Sequence, residues 1–134
     1  MVDRYNYKKI LTIGFLSLFL ILAINELAVN YHIYFIYKWF DTPMHFLGGF
    51  AVGIFSIGIL RMFLSQEQYD RRPVFLYYVG MVLAIGLVWE LVEVFYKVSV
   101  IFGGIFWFDT IKDLLMDVFG GILSYICFHH RLKK

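Results

Sequence analysis

Seven of the ten acidic residues in this 134-residue chain fall in or beside apolar stretches: Glu26, Asp41, Glu90, Glu93, Asp109, Asp113 and Asp117. Ionisable groups at membrane depth are costly, and a chain keeps them where they act on an ion, a proton or a substrate. Their spacing groups them further. Glu90 and Glu93 are three apart, and Asp41 and His45 four apart, so each pair shares a helix face. Asp109, Asp113 and Asp117 form a stripe that drifts by only about 80°. Carboxylates packed without a countercharge repel, so such a cluster must hold protons, pair with bases or bind a cation. Oxygen-rich donors suit Mg²⁺, Mn²⁺ or Ca²⁺, and the imidazole of His45 admits Zn²⁺. A cation there would polarise a phosphate or ester and activate water, with a spare Glu as general base. The expected catalytic and metal-binding core is His45, Glu90, Glu93, Asp113 and Asp117. Asp41 and Asp109 complete the ligand set from outside that core.

Plainer roles compete at each position. Asp41 or Thr42 can cap a helix whose first turn holds Pro43. Glu26, beside Asn25, is either a ligand or a solvated helix end. His45 can be a hydrogen-bonded packing residue, and the remaining acids an internal network that fixes helix register. His32 falls in an aromatic connection and is expected at the interface. His129 and His130, next to Arg131, are expected to meet water or lipid phosphates. Cys127, the single cysteine, can build neither a disulfide framework nor a thiolate site.

The elements that must position these groups follow from composition. The chain is 61% hydrophobic and 21% aromatic, with a mean hydropathy of +0.74. That usage lies outside soluble domains and calls for a lipid solvent. Four stretches approach the roughly 20 residues needed to cross a hydrocarbon core: residues 10–29, 43–64, 74–95 and 109–128. Each must be helical to satisfy its backbone in lipid, and the alternation of a small barrel is absent. The expected fold is therefore all-α: one integral membrane domain over residues 1–134, a polytopic four-helix bundle with short interfacial segments in its outer connections. The first span follows Arg4, Lys8 and Lys9 and reads as an uncleaved anchor, because no A-x-A site follows it. Small residues supply close-contact faces at Gly49 and Gly53, at Gly80, Ala84 and Gly86, and at Gly120 and Gly121.

Charge bias orients the bundle. With four spans, nine of the twelve basic residues lie on the side of the termini and only Lys38, Lys97 and Lys112 on the other. The positive-inside rule then puts both termini in the cytoplasm, expected across the plasma membrane of a prokaryote. Since orientation accounts for the basic residues, no nucleic-acid partner is expected. In this frame the outward-running spans carry their acids late and the inward-running spans carry theirs early, so every helix delivers polar groups to the outer half. The aromatic connections 30–40 and 96–108 are too short to span and suit the interface or a fold back over the cluster. Trp89 and Trp107 are interfacial anchors, or stacking platforms for a substrate.

Two classes of function fit. One is a metal-dependent membrane enzyme acting on a lipid or lipid-linked substrate by hydrolysis or phosphate and ester chemistry. The other is a protein that binds or transports a cation, a proton or a ligand without catalysis, or an accessory subunit whose acids pair with a partner's bases. The scarcity of polar residues in the inner halves of the second and third spans favours an outward-facing pocket over a conduit.

The ordered motifs Asp41-Thr-Pro-Met-His45-Phe-Leu-Gly-Gly49, Trp89-Glu90-Leu-Val-Glu93, Trp107-Phe-Asp109-Thr-Ile-Lys112-Asp113 and Asp117-Val-Phe-Gly120 together resemble the small membrane proteins grouped as VanZ-like, and more closely the YjdF-type family of unknown function. The resemblance implies a membrane bundle of which this chain is a minimal version, since members generally have more spans, and it implies no established reaction. VanZ-like proteins are associated with tolerance to glycopeptides acting at the cell surface. Asp113 and Asp117 also match the last two aspartates of the CDP-alcohol phosphotransferase signature. The first half of that signature is missing, which excludes the assignment.

Overall fold

A computed structural model describes residues 4–63, 71–95 and 106–129. They form α1 (Arg4–Asn30), α2 (Ile33–Ile36), a 3₁₀ turn (Lys38–Phe40), α3 (Asp41–Phe63), α4 (Arg71–Phe95) and α5 (Phe106–His129), and no strand occurs among them. Among the described residues, three segments are long and apolar enough to cross a membrane: Tyr7–Asn30, Lys38–Phe63 and Pro73–Val94. They contain the first three expected spans but for Leu64, which lies outside the described residues, and Phe95, the last residue of α4. α5 is long enough at 24 residues, but its first half carries Asp109, Lys112, Asp113 and Asp117.

α3 is the hub. It packs along α5 and α1 and, more lightly, on α4, which also packs on α5. Its sequence explains the position, for it is apolar on all sides and places small residues where neighbours approach. A side chain on Gly49 would run into the backbone of Asp117, and one on Gly120 into the carbonyl of Phe46, so α3 and α5 meet backbone to backbone. Gly14 similarly sits against the backbone of Phe55. Gly80 and Ala84 do not form the expected contact face: Gly80 has open space beside it and Ala84 is exposed. The face of α4 that packs on α5 instead carries Val82 and Gly86, the former against Gly121. On the opposite surface α1 exposes Phe15, Leu16, Phe19 and Leu20, a fully apolar strip suited to hydrocarbon.

Two clusters hold the ends. Ile10, Ile54, Ile57 and Tyr78 pack at one, where Ser124 donates to the Gly121 carbonyl and Ser56 to that of Val52. Ala28, Tyr34 and Met44 pack at the other. The second cluster exists because the chain after α1 turns back through His32, whose φ of 57° is left-handed. α2 then lies over the ends of α1 and α3, where the Tyr34 hydroxyl donates to Asn25 Oδ1 at 2.6 Å. Burial, with Asp41 and Glu93 nearby, pushes the Tyr34 phenol up, so it remains a donor. Of the two arrangements expected for residues 30–40, the interface or a fold back, Tyr34 makes the inward contact while Phe35, Ile36, Tyr37 and Trp39 remain exposed. The second aromatic connection, 96–108, falls largely outside the described residues.

Candidate functional site

Asp41 is the first residue of α3 and already has helical backbone angles, φ −59° and ψ −48°. The expected capping role for it is therefore corrected, since a cap has non-helical angles. The preceding 3₁₀ turn enters the helix directly, leaving the Asp41 carboxylate free to lie along the helix beside His45 one turn on. His45 is buried, 4% exposed, and its two ring nitrogens meet different surroundings. Nδ1 stands 3.3 Å from Asp117 Oδ2. Nε2 faces Asp41 Oδ1 at 3.6 Å, Glu90 Oε1 at 3.9 Å and Glu93 Oε1 at 3.9 Å. Three helices thus converge on one imidazole.

The positions follow from the helix register. Glu90 and Glu93 lie near the end of α4, Asp41 and His45 open α3, and Asp113 and Asp117 occupy the first half of α5. Asp117 lies furthest along α5 of the acids on that helix. Its carboxylate passes between Gly48 of α3 and Gly86 of α4, and a side chain at Gly86 would run into it. Glu90 accepts a hydrogen bond from Thr110 at 2.7 Å, and Glu93 one from the Trp89 indole at 3.0 Å. Asp113 is 1% exposed, and its Oδ1 lies 3.3 Å from Lys112 Nζ. That ammonium bonds instead to Asp109 Oδ1 at 2.7 Å, on the half-exposed rim.

Two donor groups share His45: one with Asp41 and Asp113, the other with Glu90 and Glu93, the ligand atoms of each lying within 4.8 Å of one another. Three buried atoms among the described residues lack a hydrogen-bond partner, namely His45 Nε2, Glu90 Oε1 and Asp113 Oδ1. Buried polar atoms are almost always paired; Asp113 Oδ1 has its ion pair with Lys112 at 3.3 Å, whereas His45 Nε2 and Glu90 Oε1, 3.9 Å apart, require an explanation. Five carboxyl groups around one imidazole also require protons or a cation. In the second case Asp117 is the orienting partner. A carboxylate on one ring nitrogen fixes the tautomer that presents the other nitrogen's lone pair to an ion.

Of the residues singled out from the sequence, the structure brings together Asp41, His45, Glu90, Glu93, Asp113 and Asp117. It leaves Asp109 on the rim with Lys112, and Glu26 exposed on α1. His32 is exposed, as expected of an interfacial residue. The side chains of Trp107 and His129, and all of His130, lie outside the described residues. Trp89 serves as a donor to Glu93. Sequence reasoning missed the bond from Thr110 to Glu90 and the place of Gly48 beside Asp117, and the only signal for Thr110 was its position between Asp109 and Lys112 in the polar first half of α5.

A family model described as "Predicted membrane protein (DUF2238)" matches residues 2–134, and the chain belongs to that family. No curated protein and no solved structure matches it.

Proposed function

We propose that this membrane protein binds a divalent cation between His45 and the surrounding carboxylates and uses it in hydrolytic or phosphate and ester chemistry on a lipid or lipid-linked substrate. One observation carries the reading: the near-equal distances of 3.6, 3.9 and 3.9 Å from His45 Nε2 to three carboxylate oxygens. A proton on Nε2 would draw one oxygen to hydrogen-bond length, about 2.8 Å, and release the other two. A cation would serve His45 together with the carboxylates of either donor group, Asp41 and Asp113 or Glu90 and Glu93. Tetrahedral donors about 2.0–2.1 Å from a zinc ion stand roughly 3.3 Å apart, whereas the ligand atoms of each three-residue group lie within 4.8 Å of one another, so either group would close by up to about 1.5 Å around an ion. Mn²⁺ and Mg²⁺ would use Asp41, Glu90 and Asp113 more heavily, Zn²⁺ His45.

In this reading α5 forms the fourth crossing, with the termini cytoplasmic in the plasma membrane of a prokaryote and the pocket at headgroup depth on the outer side. The shared motif order supports kinship with VanZ-like and YjdF-type proteins. Where the cation is held by His45, Asp41 and Asp113, Glu93, at the edge of the pocket on the Trp89 indole, would be the base that takes a proton from attacking water. The half-exposed Lys112 is placed to meet an incoming anionic group. The buried Ser56 and Ser124 at the opposite end bond to carbonyls of their own helices, which supports a closed pocket rather than a conduit.

Elemental analysis of detergent-purified protein tests the proposal. Wild type retains a divalent metal, and His45→Ala and Glu90→Gln lose it. Mn²⁺ at a hundredfold excess over its Kd raises stability by about 2.7 kcal/mol, read as a higher Tm and reversed by chelator. A lipid-extract screen then reads turnover. Equal metal content and Tm response in wild type and both variants would overturn the assignment.

A further inference from the structure

Beside the carboxylate pocket, α1 and α4 stand apart over the surface of α3 and leave a cleft of about 210 Å³. Gly48 and Val52 form its floor, Leu22 of α1 and Ile85 of α4 its walls, and His45 and Asp117 its polar end. Leu22 is 49% exposed and Ile85 44%, so the mouth opens on the side of the bundle, towards the surrounding lipid. Apolar cavities of about 150 Å³ stay dry and accept a hydrocarbon ring, so a larger one facing lipid fills with hydrocarbon. Gly48 keeps the floor low, for the nearest atom to an added side chain there is Asp117 Oδ1 at 3.8 Å.

An apolar slot entered from the bilayer and ending on a pocket suited to a cation has the polarity of an amphiphile: hydrocarbon outward, anionic oxygen inward. We propose that the cleft binds one acyl chain of a phospholipid drawn sideways from the bilayer, placing its phosphate at the His45 pocket. The headgroup half of this assignment rests on the cation reading above. The tail half rests on the cleft alone.

The full chain, reconstituted in vesicles of phosphatidylethanolamine and phosphatidylglycerol with a trace of phosphatidylglycerol bearing a diazirine on the upper, carbonyl-proximal part of one acyl chain, tests it. After irradiation, adducts are mapped by peptide mass spectrometry, and Mn²⁺ binding is measured on the same preparations. Adducts are expected on Val52 and Met44, which at 6% and 8% exposure a lipid merely surrounding the bundle does not reach. Gly48→Leu fills the slot and lowers those adducts about tenfold, while labelling of the lipid-facing Phe19 and Leu20 is unchanged. Leu22→Trp narrows the mouth from an exposed position and gives the same result should Gly48→Leu fold poorly. Adducts confined to exposed positions in a protein that binds Mn²⁺ overturn the acyl-chain assignment and leave the cation reading standing. Buried adducts suppressed by either variant, in a protein that binds no Mn²⁺, uphold the cleft and overturn the cation.

Discussion

At the scale of single residues, the contact between His45 Nδ1 and Asp117 Oδ2 makes Asp117 an orienting group and distinguishes it from the acids that face Nε2. Asp117→Asn keeps the shape but weakens the pull on the ring. It is expected to lower divalent-metal affinity by about 10–100-fold without abolishing binding, in contrast to His45→Ala, as measured by titration calorimetry. Equal losses in the two variants would place Asp117 among the direct ligands. The candidate residues themselves were legible because acids at three- and four-residue spacing inside apolar runs have few other uses. Their roles were not. Whether Asp41 caps α3 or faces His45 depends on the 3₁₀ turn before it, and Thr110 meets Glu90 only through the packing of α5 against α4. Neither feature leaves a periodic trace.

Among the helices, the backbone contact between α3 and α5 sets the depth at which Asp113 and Asp117 reach His45. Gly49→Ala or Gly120→Ala forces these helices apart. Each is expected to cost about 1–3 kcal/mol, read as a lower Tm in detergent, and to weaken metal retention with it. Gly80→Ala, with open space beside it, is expected to be neutral or to stabilise by up to about 1 kcal/mol. A lower Tm for Gly80→Ala would mean that α4 presents a different face. Hydropathy read along the chain located the four long helices among the described residues, to within three residues at every end except the start of α1, which begins six residues before the expected span. It did not by itself tell the packed glycine of α4, Gly86, from the idle one, Gly80; the mark lies in the acids, since Gly86 stands one turn before Glu90 on the face that carries both glutamates and Gly80 does not.

For the molecule as a whole, orientation is the quantity that charge bias predicts. In a Cys127→Ser background, Phe35→Cys on the outer turn is expected to react with an impermeant maleimide in intact cells. Val2→Cys and Leu132→Cys are expected to react only after the membrane is opened. The reverse pattern would move the pocket to the cytoplasmic face. The all-helical character was legible from composition, whereas the cleft between α1 and α4 was not, since it is a place where two helices fail to meet. The placement of Asp113 and Asp117 on α5, the last helix described, also bears on biogenesis. A nascent chain that has released only α1 to α4 into the bilayer holds His45, Glu90 and Glu93 with no fifth helix to enclose them. In the reading in which α5 is a fourth crossing, such an intermediate would leave these ionisable groups facing lipid until α5 packs on α3.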